Sequence, residues 1–151
     1  MNEAGAGHKV PSYHAPPFTS KLSGATIHEL RCLDTRIQLG FHLVPHIVQT
    51  LYAELPTSSY VLFTDAHLEA LGVVDQFREA FEKYRPEGNA SRVLAHVLPP
   101  GEESKSRETK AGIEDWMLAH RLTRDTVVLA CGGGVMGDLV GFVSATVCGR
   151  G

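Results

Sequence analysis

Three β-rich runs begin near residues 60, 92 and 126, with helix-like stretches between them. This repeat of about 33 residues is the size of one strand–helix–strand unit. Tyr60 to Thr64 is compact and ends at Asp65; Arg92 to Leu98 is cut off by Pro99-Pro100-Gly101. Thr126 to Cys131 is a continuous apolar run, as in a parallel strand covered on both faces. Between these runs, Leu71, Val74, Phe77, Phe81 and Tyr84 mark one helical face, closed by Pro86-Glu87-Gly88-Asn89. Ile113, Trp116, Met117 and His120 mark the inner face of another helix. A helix with Val44, Ile47, Val48, Leu51, Tyr52 and Leu55 on its stripe precedes the first run and stops at Pro56. A last helix is expected from about Met136. Strands and helices alternating through short connections predict an α/β fold, a parallel sheet with flanking helices.

Upstream the pattern is different. Residues 1–25 carry Gly, Pro, Ser and His without apolar periodicity, and Pro11, Pro16 and Pro17 break any helix, so a disordered or poorly structured leader is expected. Ile27 to Leu33 and Arg36 to Leu39 read as a hairpin turning near Asp34. The chain's 151 residues allow one sizeable core, which assigns 26–151 to a single dinucleotide-binding domain. With a net charge of -3 and interspersed signs, nothing forms the basic stripe that nucleic acid or a membrane surface would require. No apolar run reaches the roughly 18 residues of a membrane helix. Met1 to Lys9 lacks the apolar core of a secretory signal. Cys32, Cys131 and Cys148 match no metal-knuckle spacing and read as buried free thiols, which places the chain in the reducing cytoplasm.

In an open parallel sheet, ligands collect beyond the carboxyl ends of the strands. Three polar segments fall there: Asp65-Ala66-His67, Pro99 to Lys105, and Gly132 to Asp138. The glycines of Gly132-Gly133-Gly134 would let a pyrophosphate approach the backbone, with the next helix aiming N–H groups at it; a tight turn needing positive backbone angles is the competing account. Asp65 is placed either to accept ribose hydroxyls or to cap the next helix. Asp138 in a first helical turn is explained by the helix dipole unless a ligand hydroxyl lies nearby. Ser104 is the expected N-cap of the third helix. Lys105, Arg107 and Lys110 read as a solvated face, with Lys105 the one favoured for a ligand. His42 and His46, four apart on a helix, lack a third metal ligand and read as packing or solvent-facing histidines. Cys131 reads as core rather than nucleophile.

Gly132-Gly133-Gly134-Val135-Met136-Gly137-Asp138-Leu139-Val140-Gly141-Phe142 resembles the glycine-rich motif of 3-dehydroquinate synthases. Pro99 to Lys110, followed by Ile113-Glu114-Asp115-Trp116-Met117-Leu118, looks like the fungal form, the first part of the pentafunctional arom polypeptide. Gly40 to Pro45 and Tyr60 to Asp65 are similar to that enzyme's N-terminal stretches, and the resemblance covers about residues 26–148. It implies the Rossmann-like N-terminal NAD-binding domain of a dehydroquinate synthase-like fold. The implied reaction converts the sugar phosphate 3-deoxy-arabino-heptulosonate 7-phosphate to 3-dehydroquinate and phosphate, in chorismate biosynthesis. NAD would be a transient oxidant and a divalent metal, usually zinc, would polarise the substrate; a homodimer of the full-length enzyme is compatible. By motif match, the implied NAD contacts are Asp65, Glu102, Lys105, Gly133, Gly134, Val135 and Asp138.

The family usually has Asp-Thr-Asn where this chain has Asp65-Ala66-His67. Arg150 stands one position later than the family's substrate-binding arginine and is left unassigned. The family's metal ligands, a Glu and two His, are expected beyond the last residue. The resemblance therefore leads to the expectation of a C-terminally truncated piece, without its metal and substrate domain and inactive alone. A related sugar-phosphate cyclase, a polyol dehydrogenase of the same fold, and a non-catalytic nucleotide-binding remnant are the competing readings.

Overall fold

The structure is a computed structural model and describes residues 12–14, 16–20, 24–33 and 35–147. The chain divides into two compact units, Met1–Ile47 and Val48–Gly151.

In the first unit, β3 (Thr26–Cys32) is the common partner of three antiparallel strands. β4 (Thr35–Leu39) pairs along it from His28↔Leu39 to Cys32↔Thr35. The expected hairpin is there, with Leu33 at positive φ beside the turn; Asp34 lies outside the described residues. Two stretches of the expected leader are also strands: β1 (Ser12–His14) pairs with the Cys32 end of β3, and β2 (Phe18–Thr19) with the Ile27 end. Pro16 and Pro17, which cannot donate to a ladder, fall between them. Ile27 is fully buried, and Ser20 and His46 are buried polar residues. His46 is buried, with Nδ1 2.8 Å from the Ser20 hydroxyl and Nε2 3.1 Å from Gln38 Oε1, whose amide in turn reaches Glu29. His42 does not share its helix: it is exposed, at positive φ, ahead of α1 (Val44–Glu54). The shared-metal reading of these two histidines therefore has no helical face to rest on.

The second unit holds a parallel sheet in the order β6-β5-β7, with β5 (Ser59–Asp65) central. β5 is paired along its length with β6 (Arg92–Leu98) and from Tyr60 to Thr64 with β7 (Val127–Cys131). Covered on both faces, it is buried from Ser59 to Thr64. On one face Tyr60 meets Tyr52 and Phe81 at ring separations of 5.5 and 5.1 Å. On the other, Val61 and Phe63 join Leu98, Ile113, Met117, Met136, Leu139, Val140 and Val143 in one apolar cluster. β7, expected to be covered on both faces, is only half-buried and exposes Ala130, because it is an edge strand among the described residues.

The expected second helix is two. α2 (Ala66–Ala70) ends at Leu71, Gly72 takes a left-handed φ of 78°, and α3 (Val73–Lys83) starts in a new direction. Leu71 is thereby left exposed while Val74, Phe77, Ala80 and Phe81 pack inward. α4 (Arg107–Ala119) buries Ile113 and Met117, and α5 (Gly134–Val147) buries Met136, Leu139, Val140 and Val143. Among the described residues no helix is long and apolar enough to cross a membrane. Cys32 is exposed and Cys131 half-buried, both free thiols, so burial does not explain Cys32; Cys148 lies outside the described residues, as does Arg150.

Strand order positions the site. From β5 the chain crosses to β6 on one side, then returns past β5 to place β7 on the other. The connections diverge between β5 and β7, and such a switch point opens a crevice at the carboxyl ends of those two strands.

Candidate nucleotide site

Asp65 ends β5 and Gly132 follows β7, so both stand at the mouth of that crevice. Asp65 caps α2: Oδ1 accepts the N–H of His67 at 2.9 Å and of Leu68 at 3.0 Å. Oδ2 lies 3.6 Å from the point where a Gly132 Cβ would stand, so the carboxylate keeps one oxygen on the β7 side. The capping and ligand-accepting readings of Asp65 are compatible, since they use different oxygens. Ala66 and His67 are exposed in α2.

The glycine segment is not a left-handed turn. The glycines with positive φ among the described residues are Gly24, Gly72, Gly88 and Gly101, none of them in this segment. A Cβ on Gly132 would stand 2.8 Å from Met136 Cβ, so this glycine lets the start of α5 close against the strand end. A Cβ on Gly133 or Gly134 would meet nothing within 4 Å. α5 begins at Gly134, two residues earlier than expected, which places Gly134 and Val135 in the first turn. Their N–H groups there have no carbonyl of the helix to bond. The Gly133 carbonyl accepts from Met136 and Gly137 at 3.1 and 3.2 Å.

The loop after β6 supplies the third side. Gly101 at φ 94° opens a 3-10 turn, Glu102–Ser104. Ser104 is not the cap of α4: it is 4% exposed and its hydroxyl donates to the Pro99 carbonyl. Ser106 does the capping, accepting the Thr109 N–H at 3.1 Å. Glu108 in that helix's first turn was the available sequence signal for a start at Ser106.

Lys105 then reaches across to α5, with Nζ 3.0 Å from Asp138 Oδ2 and 3.4 Å from Glu102 Oε2. Its hydrogen bond to Asp138, helped by Glu102, holds the ammonium pKa above its ordinary value. Beside this pair an open groove of roughly 260 Å³ is lined by Lys105, Ser106, Arg107, Lys110, Asp138 and Phe142, among others. Lys110 is engaged with Glu114 at 3.3 Å and lies 4.9 Å from the centre of the Phe142 ring. Burial first and the Asp65 charge second push the Cys131 thiol above its ordinary pKa. It is a poor nucleophile, in keeping with a core role. Glu102, Lys105 and Asp138 thus form one linked polar group, and Asp65 stands beside Gly132 at the same end of the sheet.

An α/β sheet with a switch-point crevice, an open glycine loop and carboxylates beside it defines a nucleotide-binding class of fold. Comparison with known proteins is more specific. The family model for the N-terminal part of 3-dehydroquinate synthase matches residues 95–151. The chain is 72% identical over 141 residues to the pentafunctional AROM polypeptide of Malassezia globosa, covering 93% of this chain and 8% of that one. It is 62% identical over 142 residues to that of Mycosarcoma maydis, covering 91% and 8%. Residues 95–151 thus match the N-terminal part of the 3-dehydroquinate synthase family, and the chain spans 8% of the length of these relatives. A crystal structure of 2-deoxy-scyllo-inosose synthase complexed with carbaglucose-6-phosphate, NAD+ and Co2+ shares the fold: TM-score 0.62, 21% identity, covering 81% of this chain and 32% of that one.

Proposed function

We propose that this chain forms the NAD-holding part of a 3-dehydroquinate synthase, acting in the cytoplasm on 3-deoxy-arabino-heptulosonate 7-phosphate to give 3-dehydroquinate and phosphate. The observation that carries the NAD reading is the pair Gly133 and Gly134. Neither needs glycine for its φ, and both face open space where side chains would intrude on a ligand. In this reading the N–H groups of Gly133, Gly134 and Val135 and the positive end of α5 hold the pyrophosphate. Asp65 Oδ2, Glu102 and Asp138 accept ribose hydroxyls, and Lys105, already poised between two carboxylates, balances the phosphate charge. NAD, when bound, supplies a reversible hydride acceptor. This chain's residues orient it at the strand ends; none is assigned to proton transfer.

A divalent metal, zinc in our reading, belongs to the proposal for the whole enzyme, as does a homodimer. The described residues contain no group of three or more His, Cys, Asp or Glu able to hold a metal, so no metal-assisted step is derived from them. Calorimetric titration with NAD tests the reading. Saturable binding is expected; no heat and no gain in thermal stability at millimolar NAD would leave only a non-binding remnant.

A further inference from the structure

We propose that Ser104 is a positioning residue of the nucleotide site: its buried hydroxyl clips the loop after β6 into the shape that holds Glu102 and Lys105 opposite Asp138. The inference rests on the NAD reading above.

Pro99, Pro100, Gly101, Glu102 and Lys105 of this loop are exposed, whereas Ser104 is 4% exposed. Its hydroxyl donates to the carbonyl of Pro99, the first residue after β6. Two backbone bonds, Ser104 N–H to Gly101 at 3.1 Å and Lys105 N–H to Glu102 at 3.0 Å, tighten the turn inside that clip. Pro99 and Pro100 have no N–H to offer, so the loop has few ways of closing on itself. The alternative anchor, Lys105 with its carboxylates, is an exposed ion pair, and exposed pairs are too weak to fix a loop against its entropy. A buried hydroxyl bonded to a carbonyl is worth more, and once it is gone the carbonyl of the exposed Pro99 can turn to water and release the loop. The position of Lys105 therefore depends on Ser104, whose own hydroxyl is buried and turned to the Pro99 carbonyl.

The test uses the whole chain with Ser104→Ala and Ser104→Thr, and NAD as the probe. For S104A we expect NAD affinity about tenfold weaker, a shift of about 1.4 kcal/mol, faster amide exchange at Lys105, and little change in melting temperature. S104T, which keeps the hydroxyl, should recover most of the affinity. S104A binding NAD as tightly as the wild type overturns the proposal, as does an affinity loss that S104T shares. Wild-type chain that fails to bind NAD sinks the nucleotide reading and this proposal together, whereas wild-type binding matched by S104A sinks the proposal alone.

Discussion

The two ends of the parallel sheet are both lined with polar side chains, yet they spend them differently. At the amino end, Asp125 Oδ2 accepts the Ser58 N–H at 2.8 Å and the Thr57 hydroxyl at 3.2 Å, while Thr57 also donates to the Asp125 carbonyl. The Ser58 N–H, more than any other contact, holds the Asp125 carboxyl below its ordinary pKa. Arg92 donates to the buried Ser59 hydroxyl at 3.0 Å and to the His120 carbonyl at 3.2 Å. These groups bond to one another and to backbone, and they close the strand starts. At the carboxyl end Gly133 and Gly134 face open space, one Asp65 oxygen is turned toward Gly132, and the Lys105–Asp138 pair is exposed. Polarity alone does not mark a site; polar groups left with capacity at a switch point do.

Four substitutions or conditions break or sharpen that contrast. Gly132→Ala should destabilise most, by about 1–3 kcal/mol, because its Cβ would press on the base of a packed Met136 side chain; denaturant unfolding measures it. Gly133→Ala should leave unfolding unchanged yet weaken NAD roughly tenfold, about 1.4 kcal/mol, because its methyl enters the open space assigned to the ligand. Equal effects of these two changes on unfolding would erase the distinction drawn between neighbouring glycines.

At the other end, Arg92→Ala should cost about 1 kcal/mol of stability by stranding the Ser59 hydroxyl, with NAD affinity untouched; a drop in affinity would mean that the amino end is not merely structural. The smallest effect is expected from pH. Burial, and secondarily His120, holds His96 below its ordinary value of 6.5. As pH falls, the unfolded chain takes up that proton first, so the contribution is full above 6.5 and is lost as pH drops through the lowered value. Thermal melts should show this acid loss in the wild type and a shallower one in His96→Gln.

Much of the fold was legible because its boundaries are written in local chemistry. Pro99-Pro100-Gly101 ends β6 at Leu98, as read, and the 33-residue rhythm foretold the parallel sheet. What escaped the sequence depended on backbone shape or distant partners. The apolar stripe runs unbroken through Leu71, so the left-handed turn at Gly72 that throws Leu71 into solvent left no trace in periodicity. Glu108 hinted at Ser106 as the cap, but only the fold of the loop brings the Pro99 carbonyl to Ser104. His42 and His46 are four apart, but α1 starts at Val44, with Pro45 in its first turn, and leaves His42 outside. For the glycines, sequence offered a turn and a phosphate cradle, and φ, which it could not supply, removes the left-handed turn.

The central claim is that the carboxyl end of this sheet, and not the amino end, takes the ligand. Titrating isotope-labelled chain with NAD while following backbone amide resonances tests it directly. The account predicts shifts gathered at Asp65, Glu102, Lys105, Gly133, Gly134, Val135 and Asp138, with Ser58, Arg92 and Asp125 silent. Shifts at the amino end, with Gly133 to Val135 unmoved, would contradict it.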